Sequence, residues 1–565
     1  LPASRVAHMS RGEAAVVEQN YGEVFTRRWV VDALLDLTEY KVERDLGGLT
    51  LVDPSAGTGA FLLAAVERLL DSAAAHGRGW ETLGPAIRAW ELQARNATEC
   101  RQALRSVLVN RGVTPATAAD LAEAWVVEGD FLLPDDDLIS VGSGTVEADV
   151  VVGNPPYIRL EDVPPALAAD YRRRWPTMGG RADIYVGFIE RSLSILRPEG
   201  RVGFICADRW MRNQYGAGLR RLVSGRYSVD AAWVMHDVDA FEAQVSAYPA
   251  ITVLRRGEQR AVIAADTTAD FNPGSATELV KWSQHDNTAE FASTGVAAYR
   301  LPHWFPGEES WPTGSPGRLR LIEHLNDHFH PLHDASTGTK VSIGVATGAD
   351  KVFVTTETDA VEPDRLLPLS MVRDLASGEF QWSGHYLVDP WAPDGKLVEL
   401  ERYPRLKTYL ETSGAGIKDR HVAKRSPHAW YRTIDKVDHS LTKRPKLLIQ
   451  DMRASIHPVL EPGGHYPHHN VYYVVSAKWE MEVLGGLLLS RIAQAFIEAY
   501  CVRMRGGTLR FQSQYLKRIR VPSPDSISGD TADALRTAFQ RRDVDAATIA
   551  AAAAYQIDLQ DFDLD

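Results

Sequence analysis

Two turns, each following directly on a run of branched apolar residues, hold the side chains of this sequence best suited to joint chemistry. The first lies in LTLVDPSAGTGAFLLAAV (49–66). There Asp53 ends a strand and Ser55 and Ala56 lead into the turn. Gly57 and Gly59 let the backbone bend sharply and approach a ligand without a clashing Cβ. The helix that follows presents unsatisfied N–H groups to whatever rests on the turn. The spacing is not the GxGxxG of dinucleotide binders, and an acid at this strand end repels a pyrophosphate while it suits an ammonium group. The second turn is GNPPYIRL (153–160). Asn154 supplies a side-chain carbonyl, and Pro155 and Pro156 fix φ and remove N–H donors, so the Pro155 carbonyl points where the backbone dictates. Two oxygens held together can accept both hydrogens of an exocyclic amine and draw its nitrogen toward a tetrahedral, nucleophilic geometry. Tyr157 offers a flat face for a base.

These turns need a scaffold, and the sequence supplies one. Short apolar runs at 49–53, 87–92, 124–130, 148–153, 200–208, 228–235 and 250–256 alternate with amphipathic stretches such as AFLLAAVERLLDSAAA and DIYVGFIERSLSIL. Strands almost continuous in Val, Ile and Leu, interleaved with helices, predict a mostly parallel sheet buried on both faces. Residues 21–260 are therefore expected to form one doubly wound α/β domain, with 1–20 a tail. The second and third strands also end in acids: Glu91, placed to accept from a diol, and Asp130, placed to accept from an amine with Phe131 beside it. Acids at three consecutive strand ends mark the edge where open sheets bind ligands. From 261 to 335 the periodicity weakens and a linker with irregular structure is expected. A mixed α/β segment follows over 336–521, and 522–565 reads as two short helices.

With 565 residues, 45% hydrophobic and 24% charged, the composition is that of a multidomain globular chain. There is no run of about 18 apolar residues, so no membrane span is expected. Cys100, Cys206 and Cys501 are scattered, which argues against disulfides and zinc–thiolate sites and suits a reducing cytoplasm. The net charge of −12 conceals local basic stretches. Residues 401–450 hold twelve Lys or Arg against five Asp or Glu, and 501–520 hold six Lys or Arg and no acid. Within WYRTIDKVDHSLTKRPKLLIQ (430–450) and MRGGTLRFQSQYLKRIRVPSP (504–524), cations mix with Tyr, Trp and Gln, as phosphate anchoring plus base-edge reading requires. Lys443, Arg444 and Lys446 are candidates for phosphates; Arg505, Arg510 and Gln512 are candidates for base edges. The histidines of EHLNDHFHPLH (323–333) and HYPHHN (465–470) are read as solvated or DNA-facing rather than as metal ligands.

The order DPSAGTG, AWELQ, EGDF and GNPPY, preceded by YGEVFTRRWVVDALLDL (21–37), resembles the gamma-class adenine-N6 DNA methyltransferases. The resemblance runs over nearly the whole chain. It implies a Rossmann-like class I methyltransferase domain on a mostly parallel seven-stranded sheet, followed by a mixed α/β target-recognition domain at 336–521. It implies S-adenosylmethionine as donor, S-adenosylhomocysteine as product and duplex DNA as substrate, with the target adenine flipped out of the helix. Motif for motif, Thr26 would contact the methionine end, and Asp53, Ser55, Ala56, Gly57 and Gly59 would shape the cofactor turn. Glu91 would take the ribose, Asp130 and Phe131 the cofactor adenine. Asn154, Pro155, Pro156 and Tyr157 would hold the target base, with Phe241, in FEAQVSAYPAITVLRR, as the second aromatic. The family usually has Thr-Pro where this chain has Thr26-Arg27.

A monomer is expected, in the cytoplasm, serving restriction–modification, phage defence or solitary epigenetic marking, with a separate cognate endonuclease or defence protein as partner. No nuclease core is read in this chain. The same NPPY chemistry serves RNA and protein-glutamine methyltransferases, but those are shorter and have no need of residues 300–521. A non-catalytic DNA-binding module has no reason to keep Asn154, Pro155, Pro156 and Tyr157 together. Cytosine-N4 enzymes typically carry Ser where Asn154 stands.

Overall fold

Each of the seven apolar runs forms a strand: β1 Leu51–Asp53, β2 Ile87–Glu91, β3 Val126–Glu128, β4 Ala148–Gly153, β5 Leu196–Ala207, β6 Ser228–Val234 and β7 Pro249–Arg255. In this computed structural model the described residues are 25–133, 146–562 and 564, apart from 236, 243–247, 287, 313, 414–415 and 502–507. The strands lie in the order β3-β2-β1-β4-β5-β7-β6. The first five are parallel, and β7 runs antiparallel to both neighbours. Burial of β1 is complete and that of β4 nearly so, as their unbroken apolar character requires when helices cover both faces.

The covering helices are α1 Arg28–Leu37, α2 Ala60–Ala75, α3 Ala94–Asn110, α4 Pro115–Trp125, α5 Pro165–Arg174, α6 Tyr185–Ser194 and α7 Ala217–Arg226. Local chemistry fixes where α4 starts. Thr114 caps α4 by accepting the Thr117 N–H, with Pro115 at the first helical position, where its missing donor costs nothing. Val30, Leu34, Leu62, Leu69, Leu104 and Leu121, from α1 to α4, close one core with Leu51, Ile87 and Val150 of the sheet. The strand order reverses at β1, which has β2 on one side and β4 on the other. Ligand crevices of open α/β sheets lie at such a switch point, beyond the carboxyl ends of the strands. Both reactive turns leave from there.

Two expectations need correction. The sheet has ten strands, not seven, and residues 262–301 are not a linker. β8 Val262–Thr267 adds parallel to β6, and β10 Val296–Leu301 and β9 Glu290–Ser293 continue antiparallel. Between β8 and β9 lies α8, Pro273–His285. Its start is a reciprocal cap: the Asn272 side chain accepts from the Gly274 and Ser275 N–H groups, and the Ser275 hydroxyl accepts from the Asn272 N–H. These strands are short, β8 ending in Asp266 and Thr267 and β9 opening on Glu290, so periodicity alone underweights them.

The chain divides into two compact units between Pro316 and Gly317. The second holds two four-stranded sheets. One orders Lys340–Ile343, Val471–Val475, Lys446–Gln450 and Val459–Glu461, all antiparallel. The other orders Val354–Thr355, Tyr386–Val388, Leu366–Ser370 and Tyr466–Pro467. Phe353, Leu369, Leu387, Leu406, Leu448 and Val471 share their core. The helices Gly529–Arg541 and Val544–Tyr555, expected at the C-terminus, belong to this unit. The first of them lies close enough to Met481–Leu489 that a Cβ on Gly486 would sit 2.4 Å from the Leu535 carbonyl oxygen. Among the described residues no single helix is long and apolar enough to cross a membrane.

Candidate active site

The carboxyl ends of β1, β2, β3 and β4 surround a cavity of about 700 Å³, within the ~300–1,000 Å³ of small-molecule sites. Thr26, Ser55, Ala56, Gly57, Glu91, Asp130, Phe131, Asn154, Pro155, Pro156 and Tyr157 all line it, whereas Gly59 and Phe241, also singled out in the sequence, do not. Asp53 is not on the wall. It is fully buried beneath the turn, where one carboxylate oxygen accepts the Ser55 N–H at 3.0 Å. Its Oδ2 has no hydrogen-bond partner among the described residues. Burial, reinforced by the Glu91 charge and opposed by the Ser55 N–H, pushes the Asp53 carboxyl up to about 7. A cationic ligand above the turn would relieve that cost.

The turn itself is held from the neighbouring strand. The Ala56 N–H donates to the Trp90 carbonyl at 2.9 Å, and the Gly57 N–H to Glu91 Oε2 at 2.8 Å. Glu91 Oε1 accepts the Gln93 N–H, also at 2.8 Å. An ionised carboxylate accepts about four hydrogen bonds, which lets one group both hold the turn and take a diol. Gly59 has φ +104°, and a Cβ there would sit 3.0 Å from Cys100 Sγ on α3, so conformation and space both require glycine.

Asp130, two residues past β3, is fixed at both oxygens: Oδ1 accepts the Leu132 N–H at 2.8 Å and Oδ2 the Tyr171 hydroxyl at 2.6 Å. Phe131 packs with its centroid 5.4 Å from Phe188, the rings 31° apart. The Arg191 guanidinium covers Phe131 at 4.2 Å. Tyr171 on α5 and Phe188 on α6 also line the cavity, and the sequence reading missed both. Phe188 lies on the apolar face of an amphipathic helix, where nothing separates a ligand-facing aromatic from a core one.

At the end of β4 two bonds fasten Asn154. Its Nδ2 donates to Thr26 Oγ1 at 3.3 Å, and its backbone carbonyl accepts the Ser55 hydroxyl at 3.1 Å. The catalytic turn is thereby tied to both the upstream segment and the cofactor turn. Thr26 pairs with Phe241 in an isolated β-bridge. The departure from Thr-Pro has a visible use: the Arg27 N–H donates to the Ala240 carbonyl at 3.0 Å, a bond proline cannot make, and its guanidinium meets Asp239 at 2.6 Å. Tyr157 and Phe241 meet edge to face, centroids 6.5 Å apart at 86°. They therefore stand as a corner rather than as two parallel plates. The buried Tyr157 hydroxyl has no partner among the described residues, and burial holds it protonated, well above its ordinary range.

The basic candidates of the second unit fare unevenly. Lys443 is exposed, and Arg444 donates to the Ser476 carbonyl at 3.3 Å. Lys446 cannot serve a phosphate: its side chain is wholly buried in an ion pair with Glu461 and donates to the His465 carbonyl. It opens an interior strand, and an inward-facing Lys there requires a buried acid. Arg510 is half-exposed, 4.0 Å from Asp451, and Gln512 accepts from Gln514 at 3.0 Å. Arg505 lies outside the described residues.

Residues 116–241 match the Eco57I restriction-modification methylase family. The chain is 40% identical to the type II methyltransferase M.XhoI of Xanthomonas vasicola, over 93% of this chain and 95% of that one. It is 42% identical to M.PaeR7I of Pseudomonas aeruginosa, over 93% and 90%. The fold resembles that of the type IIL restriction-modification enzyme MmeI, solved in complex with DNA, with a TM-score of 0.56 at 11% identity over 98% of this chain and 76% of that one. Identity at this level over nearly the full length, with the cofactor and Asn-Pro-Pro-Tyr turns side by side, places the chain in the type II methyltransferases: site-specific, S-adenosylmethionine-dependent adenine-N6 DNA methyltransferases of restriction–modification systems.

Proposed function

We propose that the chain flips one adenine of a specific duplex sequence into the cavity and presents its N6 amine through the Asn154 and Pro155 carbonyls. The observation that carries this is the joining of Asn154 to Thr26 and Ser55, which fixes the amine-accepting group beside the cofactor turn. S-adenosylmethionine, when bound, supplies a methyl group on a sulfonium, an electrophile that needs no further activation. Asp53, Ser55, Ala56, Gly57 and Gly59 form the turn beneath its methionine end, with Thr26 beside it. Glu91 takes the ribose, and Asp130, Phe131 and Phe188 take the adenine. Flipping costs a few kcal/mol, and stacking on Tyr157, worth about 1–3 kcal/mol, recovers much of it. Phe241 braces the Tyr157 ring edge-on without itself lining the cavity. The accepted hydrogens draw the nitrogen toward tetrahedral geometry, so its lone pair becomes available. The amine proton turns acidic only as the new bond forms, and no strong base is needed beforehand.

Residues 336–521 choose the sequence, with Lys443 and Arg444 on phosphates and Arg505, Arg510 and Gln512 near base edges. The enzyme works as a monomer in the cytoplasm and protects sites cut by a separate cognate endonuclease. The test is to incubate purified protein with duplex DNA and S-adenosylmethionine, then digest and analyse the nucleosides. N6-methyldeoxyadenosine at one recurring sequence supports the reading; N4-methyldeoxycytidine, or scattered methylation, overturns it.

A further inference from the structure

In the second unit the strand Lys340–Ile343 leads into a loop that ends at Asp350, the first residue of the short helix Asp350–Phe353. The loop is clamped to the segment after Tyr466–Pro467. Val345 forms a parallel bridge with His468, and the Val345 N–H donates to the Pro467 carbonyl at 2.9 Å. A Cβ on Gly344 would lie 2.1 Å from the Pro467 carbonyl oxygen and 2.3 Å from that of His468. Only glycine allows this approach, and the approach carries Asp350 against His468 and His469.

We propose that Asp350, His468 and His469 form a binding site for one first-row divalent cation of the zinc type. Their ligand atoms lie within 4.8 Å of one another. Asp350 Oδ2 is 3.1 Å from His468 Nε2 and 3.9 Å from His469 Nδ1. The second distance is too long for a hydrogen bond. Both bracket the roughly 3.3 Å that separates two ligands of a tetrahedral ion with bonds near 2.0–2.1 Å. The other Asp350 oxygen accepts the Thr347 hydroxyl, which aims Oδ2 at the imidazoles as outer-shell partners of metal ligands do. The two imidazoles stand against each other, centroids 4.1 Å apart at 52°. Among the described residues neither histidine's Nδ1 has a hydrogen-bond partner, and His468 is 98% buried, with 2% exposed. Two nitrogens and one oxygen suit zinc and its neighbours rather than magnesium or calcium, which prefer all-oxygen shells. A fourth position is left for water. The ion would pin the loop ending at Asp350 to the His469–Asn470 turn. The site uses no residue of the methyl-transfer cavity, so it stands independently of the proposed function.

The test uses the full, untagged chain, stripped with a chelator and dialysed. Zinc stoichiometry is measured by elemental analysis and affinity by competition with a chromophoric chelator at pH 7.5. One zinc per chain is expected, with affinity falling at least tenfold in Asp350→Asn and in His469→Ala. Both side chains are partly exposed, 44% and 36%, so their truncation leaves the core closed. Cobalt in the unmutated chain gives an independent reading: visible d–d bands without thiolate charge transfer, since the three cysteines are buried elsewhere. Absence of stoichiometric zinc overturns the proposal. So does zinc that both variants retain at full affinity, or a thiolate band in the cobalt spectrum.

Discussion

Asp53 offers a perturbation whose size follows from its surroundings. Its carboxyl is raised to about 7 by complete burial, with the Glu91 charge adding to it. Unfolded, the same group titrates near 3.9. The native state therefore holds the proton more tightly, so this contribution to stability is fully present below about pH 4 and is lost as pH rises through about 7. Ionising Asp53 in the unliganded fold costs on the order of 4 kcal/mol. A cationic ligand above the turn offsets that cost, so binding should release a proton. If the bound carboxyl is ionised throughout, the ionised fraction before binding sets the affinity: about one in eleven at pH 6 and ten in eleven at pH 8. S-Adenosylmethionine should then bind roughly tenfold more tightly at pH 8 than at pH 6 through Asp53 alone. Calorimetry in two buffers of different ionisation enthalpy should show about half a proton released at pH 7. Asp53→Asn should abolish the release and flatten the profile. The ligand's own amine titrates in both proteins, so the difference between their profiles isolates Asp53. Equal profiles for the two proteins, or no buffer dependence in the unmutated enzyme, would refute the reasoning.

Asn154→Ala should keep cofactor and DNA affinity within a few-fold while single-turnover methylation falls at least a hundredfold, because the amine-accepting oxygen is lost together with the Nδ2–Thr26 bond that aims it; a near-normal rate would discard its role. Gly59→Ala forces a Cβ toward Cys100 Sγ at φ +104° and should lower the melting temperature and weaken S-adenosylmethionine at least tenfold, read by thermal shift and calorimetry. Lys446→Ala strands a buried Glu461 carboxylate and should destabilise the second unit by about 3–5 kcal/mol in a denaturant melt. Lys443→Ala should leave the melt alone and reduce the slope of log affinity against log salt by about 0.9 in a DNA-binding titration. A melt that ranks these two lysines the other way would contradict their burial.

The site was legible wherever function is written in contiguous residues. Asp53 to Gly59 and Asn154 to Tyr157 each sit on one turn, and the parallel sheet brings the two turns together without further information. Long-range pairing was not legible. A lysine opening the run KLLIQ looks like an exposed cation until Glu461, fifteen residues on, is seen beside it. Asp350 and His468 are 118 positions apart, so neither their adjacency nor the glycine that permits it leaves a local trace. Phe188 and Tyr171 follow helical periodicity like any core aromatic, and only the cavity distinguishes them. The three added strands were passed over because short mixed alternation is a weak signal, although Asn272-Pro273 followed by Ser275 announces a helix start between them.

The Ser55 hydroxyl donates to the Asn154 carbonyl at 3.1 Å, so the two loops share a hinge pin. Whatever steadies one loop lowers the entropy still to be lost by the other. Cofactor and flipped base should accordingly assist each other's binding, and by the same factor in both directions, as thermodynamic reciprocity demands. Affinity for the target sequence should therefore be higher with the cofactor bound than without it. Modified DNA with S-adenosylhomocysteine should then bind more weakly than unmodified DNA with a non-reactive S-adenosylmethionine analogue.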